Sequence, residues 1–186
     1  MTTVLAIEAI ADWLNENVCP KLLFKRANTL HQDDSYPFEE VHPKAYAMFY
    51  PDDMLPDEEK GRPFILVTPA KGTRKVIPKT DRMSVQLTCR TWNPGTHKEE
   101  SAAGAPYRKN TDGWKDVWNL LDWTLREIEN VQYLNGLRFV ASDGAEYGPM
   151  VKDGQFTEEY PYFSAYATIT VERPIVRTEE PFAEML

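Results

Sequence analysis

Two stretches of strict apolar–polar alternation constrain this chain more than anything else in it. Met83, Val85, Leu87 and Cys89 fall on one side of an extended backbone, and Ser84, Gln86, Thr88 and Arg90 fall on the other. Phe163, Ala165, Ala167, Ile169 and Val171 repeat the pattern, with Tyr162, Ser164, Tyr166, Thr168 and Thr170 opposite. A period of two is the repeat of a strand, and alternation this clean puts one face in a core and leaves the other to water or a partner. Both segments are therefore expected in a sheet that keeps one polar face.

The remaining elements follow from their own periods. Val4, Ile7, Ala11, Leu14 and Val18 keep helical spacing, with Ile10 flanking and Trp13 beside the stripe. Thr2 or Thr3 caps the start and Pro20 marks the stop, which predicts a helix from about Thr3 to Asn17. Trp114, Val117, Trp118, Leu121, Leu125 and Ile128, broadened by Leu120 and Trp123, form the wide apolar stripe of a second helix starting at Thr111 or Asp112. The compact run Phe64 to Val67, between Pro63 and Pro69, reads as a buried central strand. Tyr46 to Tyr50 and Leu137 to Ala141 read as short strands, and Arg82 to Trp92 and Tyr162 to Glu172 as the long ones. Ala70 to Thr80 is basic and reads as a hairpin loop or a strand extension.

Helix, strands, helix, strands is an α+β order. It predicts a single twisted, mainly antiparallel sheet of about four to six strands with both helices packed on one face. At 186 residues the chain fits one domain, expected over 1–173, with a core hiding roughly 70% of the unfolded surface. Long connections are expected at about 22–45, 93–110 and 142–161, and 174–186 is a short acidic tail.

The net charge of −8 opposes binding to nucleic-acid phosphates, while a wall that DNA only slides past tolerates that sign. With Cys19 and Cys89 the only cysteines, no disulfide framework is indicated, and Cys89 reads as a small buried hydrophobe. The start Met1-Thr2-Thr3 has no basic segment, and no apolar stretch approaches about 18 residues. The expectation is no signal peptide, no membrane span and synthesis in a reducing cytoplasm.

Catalytic patterns are missing. His31, His42 and His97 make no metal-ligand spacing, and no nucleophile elbow or glycine-rich phosphate loop occurs. Asp52-Asp53, Asp57-Glu58-Glu59 and Glu158-Glu159 read as solvated loop acids. The chain is therefore expected not to be an enzyme and to use no cofactor or metal. Candidate interface residues stand out instead. Arg90, Trp92, Tyr162 and Tyr166 put large aromatics and an arginine on nominally polar faces, where a loop of the same chain or a partner subunit covers them. Arg74 and Lys75, in the basic cluster Lys71 to Lys79, either meet an acidic patch such as Asp52 and Asp53 on a neighbour or are solvated. Phe182 is the aromatic anchor of the tail.

Four stretches carry a family resemblance. They are the helix Val4 to Leu14, the Pro-aromatic-aliphatic opening Arg62-Pro63-Phe64-Ile65-Leu66-Val67, the strand Met83 to Trp92 ending at a tryptophan, and the closing strand Tyr162 to Val171. In these the chain resembles the tail terminator, or tail completion, proteins of long-tailed bacteriophages and prophages. The stretches cover under half of the chain, and the connections between them are long for that family. The resemblance implies a small α+β subunit in a homo-oligomeric ring, typically a hexamer. Such a ring caps the tail tube, meets the head–tail connector proteins and lets DNA pass without specific binding, in the virion tail after assembly in the host cytoplasm. The family has no catalytic residues to carry over. The rival readings are a head–tail connector or stopper or another minor tail component, a small enzyme with a spatially assembled site, and a monomeric host adaptor.

Overall fold

The computed structural model describes residues 1–27, 39–75, 80–94, 113–152, 155–156 and 160–173. Phe182, Lys79, His31, His97, Glu158, Glu159, Thr111, Asp112 and the tail 174–186 lie outside the described residues, as does most of the 93–110 connection.

Helix α1 spans Thr3–Asn17, and Thr2 caps it by accepting a hydrogen bond at Oγ1 from the Leu5 N–H, 3.2 Å away. Its buried stripe is Ala6, Ile7, Ile10, Ala11, Trp13 and Leu14. Val4, expected in that stripe, is 60% exposed. The stripe is centred on Ile10 rather than on Val4, so Val4 and Leu5 point outward. Two short strands follow, β1 (Phe24–Lys25) and β2 (Glu40–Val41), paired antiparallel inside the stretch expected to be a loop. Strand β3, Lys44–Ala47, begins two residues before the expected position. Asn15 fastens it to α1: its amide donates to the Ala45 carbonyl at 2.9 Å and accepts from the Ala45 N–H at 2.8 Å. That one side chain satisfies backbone groups which an edge strand otherwise leaves open.

Strand β4 runs over Phe64–Lys75 and β5 over Thr80–Trp92, so the basic stretch 70–75 is strand extension. The Phe64 to Val67 run is half-buried in alternation rather than buried throughout, because only one of its faces meets the core. Helix α2 spans Trp114–Val131 and buries Val117, Leu120, Leu121, Thr124, Leu125 and Ile128. Trp114, expected in the stripe, is 47% exposed. Thr124 lies in the stripe instead, its hydroxyl donating to the Leu120 carbonyl at 2.7 Å. Strands β6 (Tyr133–Leu134) and β7 (Leu137–Phe139) form a hairpin whose turn, Asn135-Gly136, has positive φ at both residues, as expected of Asn-Gly.

Strand β8 (Ala145–Pro149) and the small pair β9 (Val151–Lys152) and β10 (Gln155–Phe156) lie within the expected 142–161 connection. The last strand, β11, is Tyr162–Glu172.

The main sheet has seven strands, in the order β3-β4-β5-β11-β7-β6, with β8 beside β7 along the same edge of β11. That exceeds the four to six expected, because β8 carries little strand signal of its own. The fold is α+β with two helices and a mostly antiparallel sheet, the β3–β4 pair being parallel. The inward rows of β4, β5 and β11 join the buried stripes of both helices in one core. No helix among the described residues is long and apolar enough to cross a membrane.

Gly113, just before α2, sits where a Cβ would lie 2.4 Å from Phe163 and 2.7 Å from the Asn93 carbonyl. Gly113→Ala is expected to destabilise the fold by about 1–3 kcal/mol, since both neighbours are held by β5 and β11. Urea unfolding checks this, and an unchanged midpoint counts against the close fit.

Candidate functional site

The outward rows of β4, β5 and β11 form a face that no described helix covers. Cross-strand register sets its composition. Phe64, Arg90 and Ser164 line up across three strands near one end, Leu66, Thr88 and Tyr166 come next, and Lys71, Ser84 and Thr170 line up near the other end.

The first end is aromatic. Met48 takes a left-handed conformation (φ 70°) just after β3 and turns the chain back over the sheet. Tyr50 then stacks on Phe64 with centroids 4.4 Å apart, and Tyr46 meets Tyr50 edge-on at 5.3 Å. The Arg90 guanidinium lies 4.6 Å above the Tyr162 ring. Together Tyr50, Phe64, Arg90 and Tyr162 wall a cleft of about 280 Å³, with Asp52, Lys60 and Arg62 at its rim. Gly61 makes the cleft's backbone approach possible. It has φ 71°, and a Cβ there would lie 2.5 Å from the Ala27 carbonyl oxygen. Arg26 braces the same loop by donating to the Lys60 carbonyl at 2.9 Å and also to the Asp57 carbonyl.

The electrostatics are those of a partly dry cationic–aromatic site. Burial raises the phenols of Tyr50 and Tyr162; Asp52 pushes each the same way, and Arg90 offsets part of the effect. Burial, with help from Tyr50, also raises Tyr46. All three stay neutral around pH 7. Tyr46 Oη, Arg62 Nε and Thr91 Oγ1 are buried with no hydrogen-bond partner among the described residues. Such walls favour an apolar or aromatic side chain, and the cations favour a carboxylate beside it.

The second end is basic. A bulge between Pro69 and Lys71 shifts the alternation of β4. Lys71, Thr73 and Lys75 consequently share the outward face with Arg82 and Ser84, lining a groove of about 470 Å³. Arg74 points to the other side and pairs with Asp81 at 2.9 Å.

The expected interface residues thus separate. Arg90, Tyr162 and Asp52 come together at the cleft. Asp53 is exposed beside Asp52 in a one-turn 3-10 helix. Trp92 is 3% exposed, covered by its own chain, and backs the cleft. It follows Thr91, which is itself buried, where the alternation of β5 ends. Tyr166 stands mid-face against Gly148, away from the cleft. Lys75 is exposed at the basic end, whereas Arg74 is partly engaged with Asp81. Sequence reasoning missed Tyr50, Phe64 and Arg62. Phe64 carried a usable signal, since it alternates with the inward Ile65.

Both cysteines are buried and free. Burial pushes the Cys19 thiol up to about 12 against the pull of backbone hydrogen bonds, and it raises Cys89 too. Among the described residues no group of three or more His, Cys, Asp or Glu side chains is placed to hold a metal ion. The chain matches no protein-family model and no curated protein sequence.

Proposed function

We propose that this chain is a structural subunit that closes into a ring with copies of itself, acting as a tail terminator that caps the tail tube of a long-tailed bacteriophage and joins tail to head. One observation carries the reading: the sheet keeps a face without a helix layer among the described residues, and that face is lysine-rich at one end and aromatic at the other, where Lys60, Arg62 and Arg90 surround the rings and Asp52 and Asp53 form an acidic corner. Unlike ends on one face are what a heterologous interface uses, and such an interface closes into a ring when its rotation permits. The net charge of −8 suits a collar through which DNA passes without adhering. The sequence resemblance supplies the tail, the head–tail junction and the typical sixfold count.

Light scattering of the purified chain is expected to give one assembled species near six times the 21.4 kDa chain mass. A mass of 21.4 kDa at every concentration sinks the ring. Binding to purified tail tubes rather than to empty heads is the result expected of a terminator, and the reverse makes the subunit a head-side connector.

A further inference from the structure

The aromatic cleft and the exit of the C-terminal tail lie at opposite ends of one strand. Tyr162 walls the cleft, and Arg173 follows the far end of β11. Arg173 is fixed there: its guanidinium donates to Asp81 at 2.6 Å and to the Thr3 hydroxyl at 2.8 Å, and its N–H donates to the Asp81 carbonyl at 2.8 Å. Asp81 also holds Arg74, so the tail leaves beside the basic end of the open face.

The tail's chemistry matches the cleft. Residues 174–186 include Glu179, Glu180 and Phe182. The cleft offers Tyr50, Phe64 and Tyr162 as walls and Lys60, Arg62 and Arg90 as cations. Its volume of about 280 Å³ suits a side chain or two better than a cofactor-sized molecule. Arg62, which lines it, carries a buried unpaired Nε, which an extended peptide's carbonyl satisfies.

Reach favours a neighbour's tail. Positions 162 and 173 are eleven residues apart along extended chain, about 35 Å at the usual strand rise. Phe182 lies nine residues beyond Arg173, and nine residues span at most about 32 Å even when fully stretched. Strand β11 also runs away from the cleft, so the tail must first turn back, and a copy's own Phe182 meets its own cleft only with nearly every tail residue fully stretched. A neighbour stacked head-to-tail brings its cleft to the tail's exit. We infer that segment 174–186 of one copy seats Phe182 in the Tyr50–Phe64–Tyr162 cleft of the next copy, with Glu179 and Glu180 against the cationic rim. This rests on the proposed self-assembly only in needing a second copy.

Disulfide trapping in the full-length chain tests it. The two native thiols are buried, so introduced ones dominate the chemistry. A Phe182→Cys chain is mixed under mild oxidation with an Asp52→Cys chain. A control mixture uses a Val131→Cys chain, whose position is 44% exposed at the end of α2. The expected result is a covalent mixed dimer with Asp52→Cys well above the control, lost when excess 174–186 peptide is added. Phe182→Ala is expected to weaken self-association about thirtyfold, the usual cost of truncating a buried aromatic anchor. Equal yields in the two mixtures overturn the inference. So does ring closure within a single Asp52→Cys/Phe182→Cys chain without any mixed dimer. An assembled mass without the mixed dimer sinks this inference alone, whereas a monomeric mass with the mixed dimer sinks the ring and leaves the tail contact standing.

Discussion

Asp81→Ala is expected to cost about 3 kcal/mol of folding stability at neutral pH, the lower end of what breaking a buried ion pair costs. The carboxylate is 3% exposed and sits between Arg173 at 2.6 Å and Arg74 at 2.9 Å. Arg74 is 71% exposed along its side chain and contributes little, whereas Arg173 is 9% exposed and is left with an uncompensated charge. The loss also unties three parts of the fold, because the same cluster joins the start of α1, the Lys75–Thr80 end of the β4–β5 hairpin and the end of β11. Burial by itself raises the Asp81 pKa; the hydrogen bonds and charges of Arg173 and Arg74 outweigh it, and the folded carboxyl titrates below the usual aspartate value. A depressed folded pKa gives stability that is present above the unfolded value of about 3.9 and is lost as pH falls through the folded value. The gap between wild type and Asp81→Ala is therefore expected to close on acidification from pH 7 to below about 3. Urea unfolding across that range checks both statements. A neutral-pH difference below about 1 kcal/mol refutes the lock.

The legible part of this fold was the part set by local periodicity. β5 and β11 were readable almost to the residue because eleven consecutive pairs between them keep one register, and a slip of one residue turns every side chain to the wrong face. α1 was readable because Thr2 caps it and its apolar residues keep helical spacing. β8 was not, since Ala145-Glu146-Tyr147-Gly148-Pro149 has poor strand propensity and is extended because β11 offers it an open edge. Asp81 was hidden for a related reason. Its partners Arg74 and Arg173 lie 7 and 92 positions away, and no local pattern announces a charge pair across that span.

The candidate site divides the same way. Arg90 and Tyr162 were visible as large groups in a polar row. The cleft they border was not, because the opposite wall arrives through the left-handed turn at Met48 that lays Tyr50 on Phe64. The outward placement of Lys71 and Lys75 was equally hidden, since simple alternation from Phe64 sends them toward the core side and only the bulge after Pro69 reverses them.

That reversal yields the strongest functional expectation. If the basic end of one copy meets the Asp52–Asp53 corner of the next, Lys71→Glu with Lys75→Glu puts like charges in contact, which costs several kcal/mol across an interface. The dissociation constant for self-association is then expected to rise more than about a hundredfold. All four positions are exposed, so the variants are expected to keep their folding stability within about 0.5 kcal/mol of wild type. Asp52→Lys with Asp53→Lys is expected to do the same damage alone. The chain carrying all four changes recovers assembly, since the attraction is restored with its sign exchanged. Wild-type assembly also weakens as salt rises from 0.05 to about 0.5 M, because exposed charges are screened over a shrinking Debye length. Sedimentation velocity on the three variants decides it: full assembly of the lysine-reversed chain, or no recovery in the fourfold variant, removes the charge pairing from the ring and leaves the lysines as solvated protection for the open edge of β4.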